Sequence, residues 1–253
     1  MGEPMTTTVQ RVVHASVLLD FDGTRILTDP WLSERPGYRQ GEQRSVRTAA
    51  DLGTLHGIVI SHNHYDHCDL DALASYPDKS VPFAVSRGLA PRVRAAGFAN
   101  VVELDPWQHT TFGPVRVTAT PAEHSVPEVT YVLHGDGHGV FFGADTLRIT
   151  ELDDIARHFP DLDLALLPIN GLRIRPMLNR QVVMDAAEAA ELTATLRPRL
   201  AVPIHYAFTA GPVRDRLLLK LDRNRPELYR DATGDIARDT TVHILPPGRS
   251  LAL

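Results

Sequence analysis

A cluster of candidate metal ligands lies in the segment Ile58–Asp69, where the chain reads IVISHNHYDHCD. An apolar, strand-like run ends there, and four polar side chains follow within six residues: His62, His64, Asp66 and His67. Imidazole and carboxylate groups are suitable ligands for zinc, manganese or iron, and the segment lacks the thiolate cluster of a structural zinc finger. Because a loop that reverses direction after a strand can bring such groups together, the segment predicts a metal site in preference to a surface histidine cluster.

Three further candidate ligands follow separate apolar runs of the chain: His124, Asp145 and His205. The strand-like runs that precede them are Val115–Thr120, Val140–Gly143 and Leu200–Ile204. In open α/β architectures the loops at one edge of the sheet carry the functional residues, while the strands stay rigid. We therefore expect four strand ends to deliver their ligands to one place.

The complete pattern, HNHYDH followed by a distant His, Asp and His, resembles the metallo-β-lactamase superfamily over most of the chain, from His14 to the C-terminus. The resemblance implies an αββα four-layer sandwich with a dinuclear metal centre. It also implies a division of the ligands: His62, His64 and His124 for one ion, Asp66, His67 and His205 for the other, and Asp145 bridging both beside a hydroxide.

Five motifs resemble one branch of that superfamily: HASVLLDFDGTRILTDPWLS at His14–Ser33, SHNHYDH at Ser61–His67, PAEHS at Pro121–Ser125, GADT at Gly143–Thr146 and VPIHY at Val202–Tyr206. This branch contains L-ascorbate 6-phosphate lactonases and N-acyl phosphatidylethanolamine phospholipase D. The motifs are specific for the branch but not for a substrate.

The charge of the implied centre favours an anionic substrate. Two divalent ions bring four positive charges and two ionised aspartates remove two, which leaves about +2. We predict a metal-dependent hydrolase in which the bridging hydroxide attacks a phosphoester or a phosphorylated lactone. Zinc is the favoured metal, with manganese and iron as alternatives. The rival predictions are an iron-dependent oxidoreductase of the same fold and a lipid phosphodiesterase.

The predicted catalytic residues are the ligand Asp66 together with His14 and Asp29. Asp29 could orient a ligand imidazole, or it could be a turn residue before Pro30. His14 could transfer a proton or bind substrate, or it could be a structural strand histidine. The predicted substrate-binding residues are Arg173, Arg175 and Tyr206. Guanidinium groups grip phosphate well, although surface arginines are commonly just solvated.

Short runs rich in Val, Ile and Leu predict the strands of the molecule. Besides the four that precede ligands, they are Arg11–Asp20, Thr24–Asp29, Pro82–Val85, Val101–Leu104, Thr130–Leu133, Leu164–Pro168 and Thr241–Leu245. Helices are predicted at Asp69–Ser75, Gly88–Ala96, Glu151–Phe159 and Asp185–Leu196. Their alternation predicts an α/β sandwich in a single domain over residues 1–253. The unpatterned segment Trp31–Thr48 is a candidate lid.

Composition restricts the partners and the compartment. A net charge of −5 and a sequence pI near 6.2 disfavour a nucleic-acid partner. A single cysteine, Cys68, excludes an internal disulfide, suits a reducing compartment and is expected to be a buried structural residue. The segment Met1–Gln10 lacks the apolar core of a secretory signal. We expect a cytoplasmic protein that acts on a small anionic substrate, with a membrane partner disfavoured and a homo-oligomer left open.

Overall fold

The computed structural model describes residues 7–253. Residues 1–6, which belong to the predicted polar N-terminus and to the single domain predicted over 1–253, lie outside the described residues. The strands are β1 (Thr8–Val13), β2 (Ser16–Phe21), β3 (Thr24–Thr28), β4 (Gly57–Ile60), β5 (Phe83–Ser86), β6 (Val101–Leu104), β7 (His109–Phe112), β8 (Val115–Thr120), β9 (Thr130–Gly135), β10 (His138–Phe142), β11 (Leu164–Pro168), β12 (Arg173–Ile174), β13 (Arg180–Gln181), β14 (Leu200–Ile204), β15 (Leu219–Lys220), β16 (Thr241–Val242) and β17 (Ser250–Ala252). The α-helices are α1 (Leu70–Leu73), α2 (Ala90–Ala95), α3 (Asp153–His158), α4 (Ala186–Leu196), α5 (Pro212–Leu218) and α6 (Pro226–Ile236).

Two seven-stranded sheets and one small sheet organise these strands. The first large sheet has the order β17-β1-β2-β3-β4-β5-β6, the second β16-β14-β11-β10-β9-β8-β7, and the small sheet β13-β12-β15. Strands β3 to β6 are parallel to one another, as are β10, β11, β14 and β16. Strand β8 shares the direction of β10, because both pair antiparallel with β9. Parallel strands end at one edge of a sheet, so the loops that follow them gather there.

Apolar side chains from both large sheets fill one core between them; among them Leu19, Val117, Phe142 and Val202 are almost fully buried. Helices α1 and α2 cover the outer face of the first sheet, and α3, α4 and α6 cover that of the second. These layers confirm the predicted αββα sandwich.

Two features of the sequence shape this packing closely. At Gly57, the first residue of β4, a Cβ atom would overlap the ring of Phe112, so glycine is needed where the sheets approach. Helix α4 begins at a capping box, in which the Asp185 carboxylate accepts hydrogen bonds from the N–H groups of Ala187 and Glu188.

The structure corrects several element boundaries. The predicted strand Arg11–Asp20 is the hairpin of β1 and β2, because the chain turns at His14, where φ is +54°. The predicted run Thr241–Leu245 shortens to β16. Helices α5 and α6 were not predicted, and neither were the short strands β7, β12, β13, β15 and β17. Within residues 7–253 the structure contains no helix of the length and apolarity that a bilayer crossing requires.

Candidate metal centre

The loop after β4 brings four candidate donors to the sheet edge. Its first residue is held by Asp29, which follows the neighbouring strand β3: the carboxylate accepts hydrogen bonds from the Ser61 amide (2.7 Å) and the Ser61 hydroxyl (2.6 Å). A turn follows, in which the His67 amide donates to the carbonyl of His64 (3.2 Å). As a result, His62 and His67 are fully buried beneath the loop.

The other candidate donors leave the second sheet at the same edge: His124 after β8, Asp145 after β10 and His205 directly after β14. The backbone turns sharply at these strand ends. Ala144 and His205 have φ values of +45° and +56°, and His14 and Asp29, which follow β1 and β3, have +54° and +33°. Non-glycine residues in this region carry a strain of about 1–3 kcal/mol and are typical of functional sites.

The structure brings all seven predicted ligands together. The donor atoms form two groups, and within each group they lie within 4.8 Å of one another. One group contains His62, His64, His124 and Asp145; the other contains Asp66, His67, His205 and, in addition, His14. A third group of the same kind, Asp29, His62 and His67, overlaps both.

Asp145 lies between the two groups. Its Oδ2 atom is 4.0 Å from Nε2 of both His62 and His124, and 3.2 Å from Nε2 of His67. Its Oδ1 atom is 2.9 Å from Nε2 of His205. The carboxylate therefore faces donors from both groups at once, as a bridging ligand must.

Several donor atoms are buried without a well-aligned hydrogen bond: Nε2 of His67, Nε2 of His205, Oδ1 of Asp145 and both ring nitrogens of His14. The 2.9 Å contact between His205 Nε2 and Asp145 Oδ1 lacks hydrogen-bond geometry. Buried polar atoms are rarely left unpaired, and a bound ion is one of the accepted explanations when they are. The residues present thus fit a pair of metal ions.

The protonation states also suit metal ligands. Burial lowers the pKa of His62 to about 3 and that of His64 to about 4, so both imidazoles stay neutral and keep a free lone pair. Although burial alone would raise them, the neighbouring histidines hold the pKa values of Asp66 and Asp145 below the usual range. Both carboxylates are therefore ionised.

His67 differs from the other imidazoles. Burial alone would lower its pKa, but the carboxylates of Asp145, Asp29 and Asp66 together raise it well above the usual value. Three carboxylates around one buried ring create a negative field. The same field attracts a metal cation to the position that Nε2 of His67 faces.

Hydrogen bonds at Nδ1 orient three of the rings. Nδ1 of His67 is 2.7 Å from Asp29 Oδ2, and Nδ1 of His124 is 2.6 Å from the Val182 carbonyl oxygen. In both cases the acceptor keeps the proton on Nδ1, which leaves Nε2 free to bind a metal. Nδ1 of His205 is 2.9 Å from the Asn170 side-chain amide.

Two residues that support the candidate donors, Glu128 and Asn170, were not predicted. Glu128 is buried beside the centre: its Oε1 accepts a hydrogen bond from the Asp145 amide (2.8 Å) and lies 3.4 Å from His62 Nδ1. Burial raises the pKa of Glu128 to about 8. Asn170 follows β11 at the same sheet edge as the donors, and that position was the available signal; Glu128 carries no comparable signal, because it precedes a strand.

A cavity of about 360 Å³ opens above the two groups. Five candidate donors form its floor: His64, Asp66, His124, Asp145 and His205. A second cavity of about 510 Å³ touches His124 but is lined by neither Asp66 nor Asp145. The first cavity is therefore the one in which a substrate can reach both groups.

The three predicted substrate-binding residues do not line this cavity. Arg173 donates to the Gln181 side chain, and Arg175 donates to the Leu219 carbonyl (2.9 Å). Tyr206 is buried, and its hydroxyl accepts a hydrogen bond from Arg11 (2.6 Å). These side chains are engaged elsewhere, so the cavity geometry gives no support to their predicted role. The cavity is lined instead by Arg214, which no sequence pattern singled out.

The predicted lid, Trp31–Thr48, supplies Gly37 and Tyr38 to the cavity wall. It is pinned by a backbone bridge between Arg39 and Thr209 (3.0 Å in both directions). Cys68 is buried as expected, and burial raises its thiol pKa to about 12, so the thiol stays protonated.

Comparisons with known proteins agree with this geometry. Residues 24–206 match the family described as β-lactamase superfamily domain. A UPF0173 metal-dependent hydrolase from Opitutus terrae is 30% identical over 251 residues, which cover 94% of this chain and 96% of that protein. An uncharacterized protein from Mycobacterium tuberculosis is 32% identical over 188 residues, which cover 67% of this chain and 50% of that protein. The match thus spans about half the length of the mycobacterial relative.

The fold is similar to that of Igni18, a metallo hydrolase from Ignicoccus hospitalis. The TM-score is 0.75, and the superposition covers 98% of both chains at 21% sequence identity.

Proposed function

Because the chain belongs to the β-lactamase superfamily and, within it, to the UPF0173 metal-dependent hydrolase family, we propose that it hydrolyses an anionic ester, a phosphoester or a phosphorylated lactone. Its fold is the metallo-β-lactamase fold. The observation that carries the proposal is the position of Asp145 between two groups of donor atoms at the floor of a cavity. A carboxylate in that position can bridge a pair of cations.

The donors suit two divalent ions, of which zinc is the proposed metal and manganese or iron the alternatives. His62, His64 and His124 would hold one ion, Asp66, His67 and His205 the other, and Asp145 both. With two ionised aspartates the loaded centre keeps about +2, which attracts an anionic group. When bound, such ions lower the pKa of water and stabilise negative charge that develops on the substrate.

The chain's own residues position these ligands and bind the substrate. The buried Asp29 carboxylate accepts hydrogen bonds from Nδ1 of His67 and from the Ser61 amide at the start of the ligand loop. It therefore positions both the His67 ring and the loop. Glu128 supports Asp145 through the backbone amide. The donors at the floor are largely buried, and electrostatic interactions strengthen in such surroundings.

His14 is proposed as a positioning residue. Its side chain is fully buried and does not line the cavity, so contact with substrate is disfavoured. Nε2 of His14 lies 3.4 Å from Asp66 Oδ2, and the ring lies against that of His205 with centroids 4.0 Å apart. A hydrogen bond from His14 would hold the Asp66 carboxylate in its ligand orientation.

The rival function is an iron-dependent oxidoreductase. The donor set consists of histidine and aspartate, which bind iron as well as zinc. However, His64 occupies the position at which the diiron reductase form has glutamate, which argues against that form. A small anionic substrate is proposed rather than a nucleic acid, since the net charge of −5 disfavours a polyanionic partner.

The proposal is tested by metal analysis and a substrate panel. Protein loaded separately with zinc, manganese and iron is assayed against phosphodiesters, phosphomonoesters and lactones, with oxygen uptake measured in parallel. We expect two metal ions per chain and hydrolysis in at least one class. Asp145→Ala is expected to lose one ion and to reduce hydrolysis at least 100-fold.

The matched control is Asp235→Ala, which removes an exposed aspartate of α6 and is expected to leave both properties unchanged. Near-wild-type rates in Asp145→Ala would refute the bridging role. Oxygen consumption without any ester hydrolysis would favour the oxidoreductase.

A further inference from the structure

The cavity above the candidate metal centre has an apolar wall. Its side chains come from the small sheet and the residue before it, from helix α5 and from the loop after β14. They are Leu172, Ile174, Phe208, Leu218 and Leu219, which we call the apolar wall. Within residues 7–253, Arg214 is the only arginine or lysine that lines the cavity. A site built to grip a fully charged metabolite would present several cations around the floor, because phosphate recognition in proteins relies on them.

Exposed apolar side chains concentrate in two segments that contribute to this cavity, the turn after β12 and helix α5. Large hydrophobic side chains are exposed at eight positions in the described part of the chain, and five of them belong to these segments: Met177, Leu178, Val213, Leu217 and Leu218. Two of the five, Met177 and Leu218, also line the cavity, with exposed fractions of 48% and 41%. The apolar lining of the cavity thus includes two side chains that are also exposed to solvent, and exposed apolar groups beside a cavity are a feature of binding sites.

Arg214 lines the cavity at an exposed position. Its guanidinium donates to the Pro36 carbonyl (3.3 Å) in the segment that also carries Tyr38. The cationic parts of the cavity are therefore its floor, once metal ions are bound, and this arginine. The apolar wall makes up much of the remaining lining, so the cavity suits a molecule with an anionic group at the floor and a hydrocarbon group along the wall.

We propose that the substrate is a phosphoester with a hydrocarbon substituent, which lies along the apolar wall while the phosphoryl group contacts the metal centre. The proposal rests on the proposed hydrolytic function and narrows its substrate class. The reaction consumes one water molecule: the P–O bond to one alcohol breaks, the water oxygen bonds to phosphorus, and the alcohol leaves with a proton.

The first experiment uses n-alkylphosphonates as non-hydrolysable probes of the metal-loaded protein. Each methylene buried against an apolar surface strengthens binding about fourfold. We expect the Kd measured by calorimetry to fall by about this factor per methylene from ethyl to hexyl, and then to level off as the chain reaches solvent. A Kd that does not change with chain length would overturn the proposal.

The second experiment measures hydrolysis of alkyl p-nitrophenyl phosphodiesters with the same series of chains. We expect KM to decrease with chain length while kcat changes little, because the chain contacts the wall and not the reacting atoms. Hydrolysis without any chain-length dependence would refute the apolar subsite and leave the hydrolytic function intact. Binding that depends on chain length without hydrolysis would refute the hydrolytic function and leave the subsite intact.

Two neighbouring leucines of α5 provide a matched pair of variants. Leu218→Ser alters a residue that lines the cavity, and Leu217→Ser alters one that is 63% exposed and does not line it. We expect Leu218→Ser to weaken hexylphosphonate binding about fivefold and ethylphosphonate binding much less, and Leu217→Ser to change neither.

The exposed leucines also allow two other occupants, a second copy of this chain and a lipid surface. Sedimentation and vesicle flotation of both variants distinguish them from the substrate chain. If Leu217→Ser and Leu218→Ser abolish self-association or vesicle binding equally and leave probe binding unchanged, the patch is an interface and the proposed subsite is wrong.

Discussion

Replacing Asp29 by asparagine tests whether a buried carboxylate prepares His67 for metal binding. Oδ2 of Asp29 accepts hydrogen bonds from the Ser61 hydroxyl (2.6 Å) and from Nδ1 of His67 (2.7 Å), and Oδ1 accepts one from the Ser61 amide (2.7 Å). Asparagine keeps one oxygen for the amide but directs an NH₂ group at the other two partners. Two donors then face each other at Nδ1, unless the His67 proton moves to Nε2, where it blocks the metal.

The expected effect follows from these contacts. A hydrogen bond to a charged group contributes about 1.5–3 kcal/mol, and loss of such a partner of a ligand histidine lowers metal affinity about 10- to 100-fold. We expect Asp29→Asn to weaken binding of the ion held by His67 by this factor, while the ion held by His62, His64 and His124 is less affected. Competition with a chelator and metal analysis after dialysis measure the two affinities separately.

Asp69→Asn is the matched control. Asp69 is also a fully buried aspartate near the ligand loop, but its carboxylate accepts hydrogen bonds from the amides of Leu32, Ser33 and Ala72 and from no candidate ligand. This variant is expected to lower thermal stability without changing metal affinity in the folded protein. If Asp29→Asn binds two ions with affinities within twofold of wild type, the orienting role of Asp29 is wrong.

Four further variants test other parts of the structure. His14→Asn, which suits the positive φ at that position, is expected to lower the affinity for one ion about tenfold and to leave the other ion bound, as measured by metal analysis. Gly57→Ala is expected to destabilise the protein by about 1–3 kcal/mol, because the added methyl group overlaps the Phe112 ring. At Gly234 in α6 the added methyl group meets nothing, so Gly234→Ala is expected to stabilise the protein by up to about 1 kcal/mol. Urea unfolding measures both changes. Burial raises the pKa of Tyr229 from 10 to about 12. This group therefore leaves the free energy of unfolding unchanged below pH 10 and lowers it by about 1.4 kcal/mol per pH unit between pH 10 and pH 12. Tyr229→Phe is expected to remove this share of the decrease in unfolding measurements at pH 9 to 12.

The sheet core and the donor cluster were predictable because both depend on local pattern. Apolar runs such as Leu164–Pro168 and Leu200–Ile204 coincide with β11 and β14, since fully buried parallel strands consist of continuous apolar residues. Each candidate donor follows such a run, and the common direction of the strands brings those ends to one edge. The positions of the donors along the chain were therefore enough to predict which side chains meet at the floor of the cavity.

The cavity wall was not predictable in the same way. Helix α5 and the two-residue strands β12 and β15 are too short to show periodicity, so the sequence does not reveal which side chains face the cavity. Arg173 and Arg175 were favoured for their charge, yet Ile174 between them lines the cavity, because neighbouring strand residues face opposite sides. Glu128 was missed for a related reason: its contact with Asp145 depends on how two distant loops pack.

The floor of the cavity and its apolar wall differ in what they cost the protein in stability. The floor is costly to build: four non-glycine residues with positive φ and several unpaired buried donors surround it, and the packed core between two seven-stranded sheets must offset that cost. We expect substitutions in such a floor to be costly, because its residues are strained and buried. The wall consists of short surface elements with partly exposed side chains, which can change at small cost in stability. We therefore expect selectivity for the substrate to depend on Leu172, Ile174 and the end of α5 more than on the metal donors.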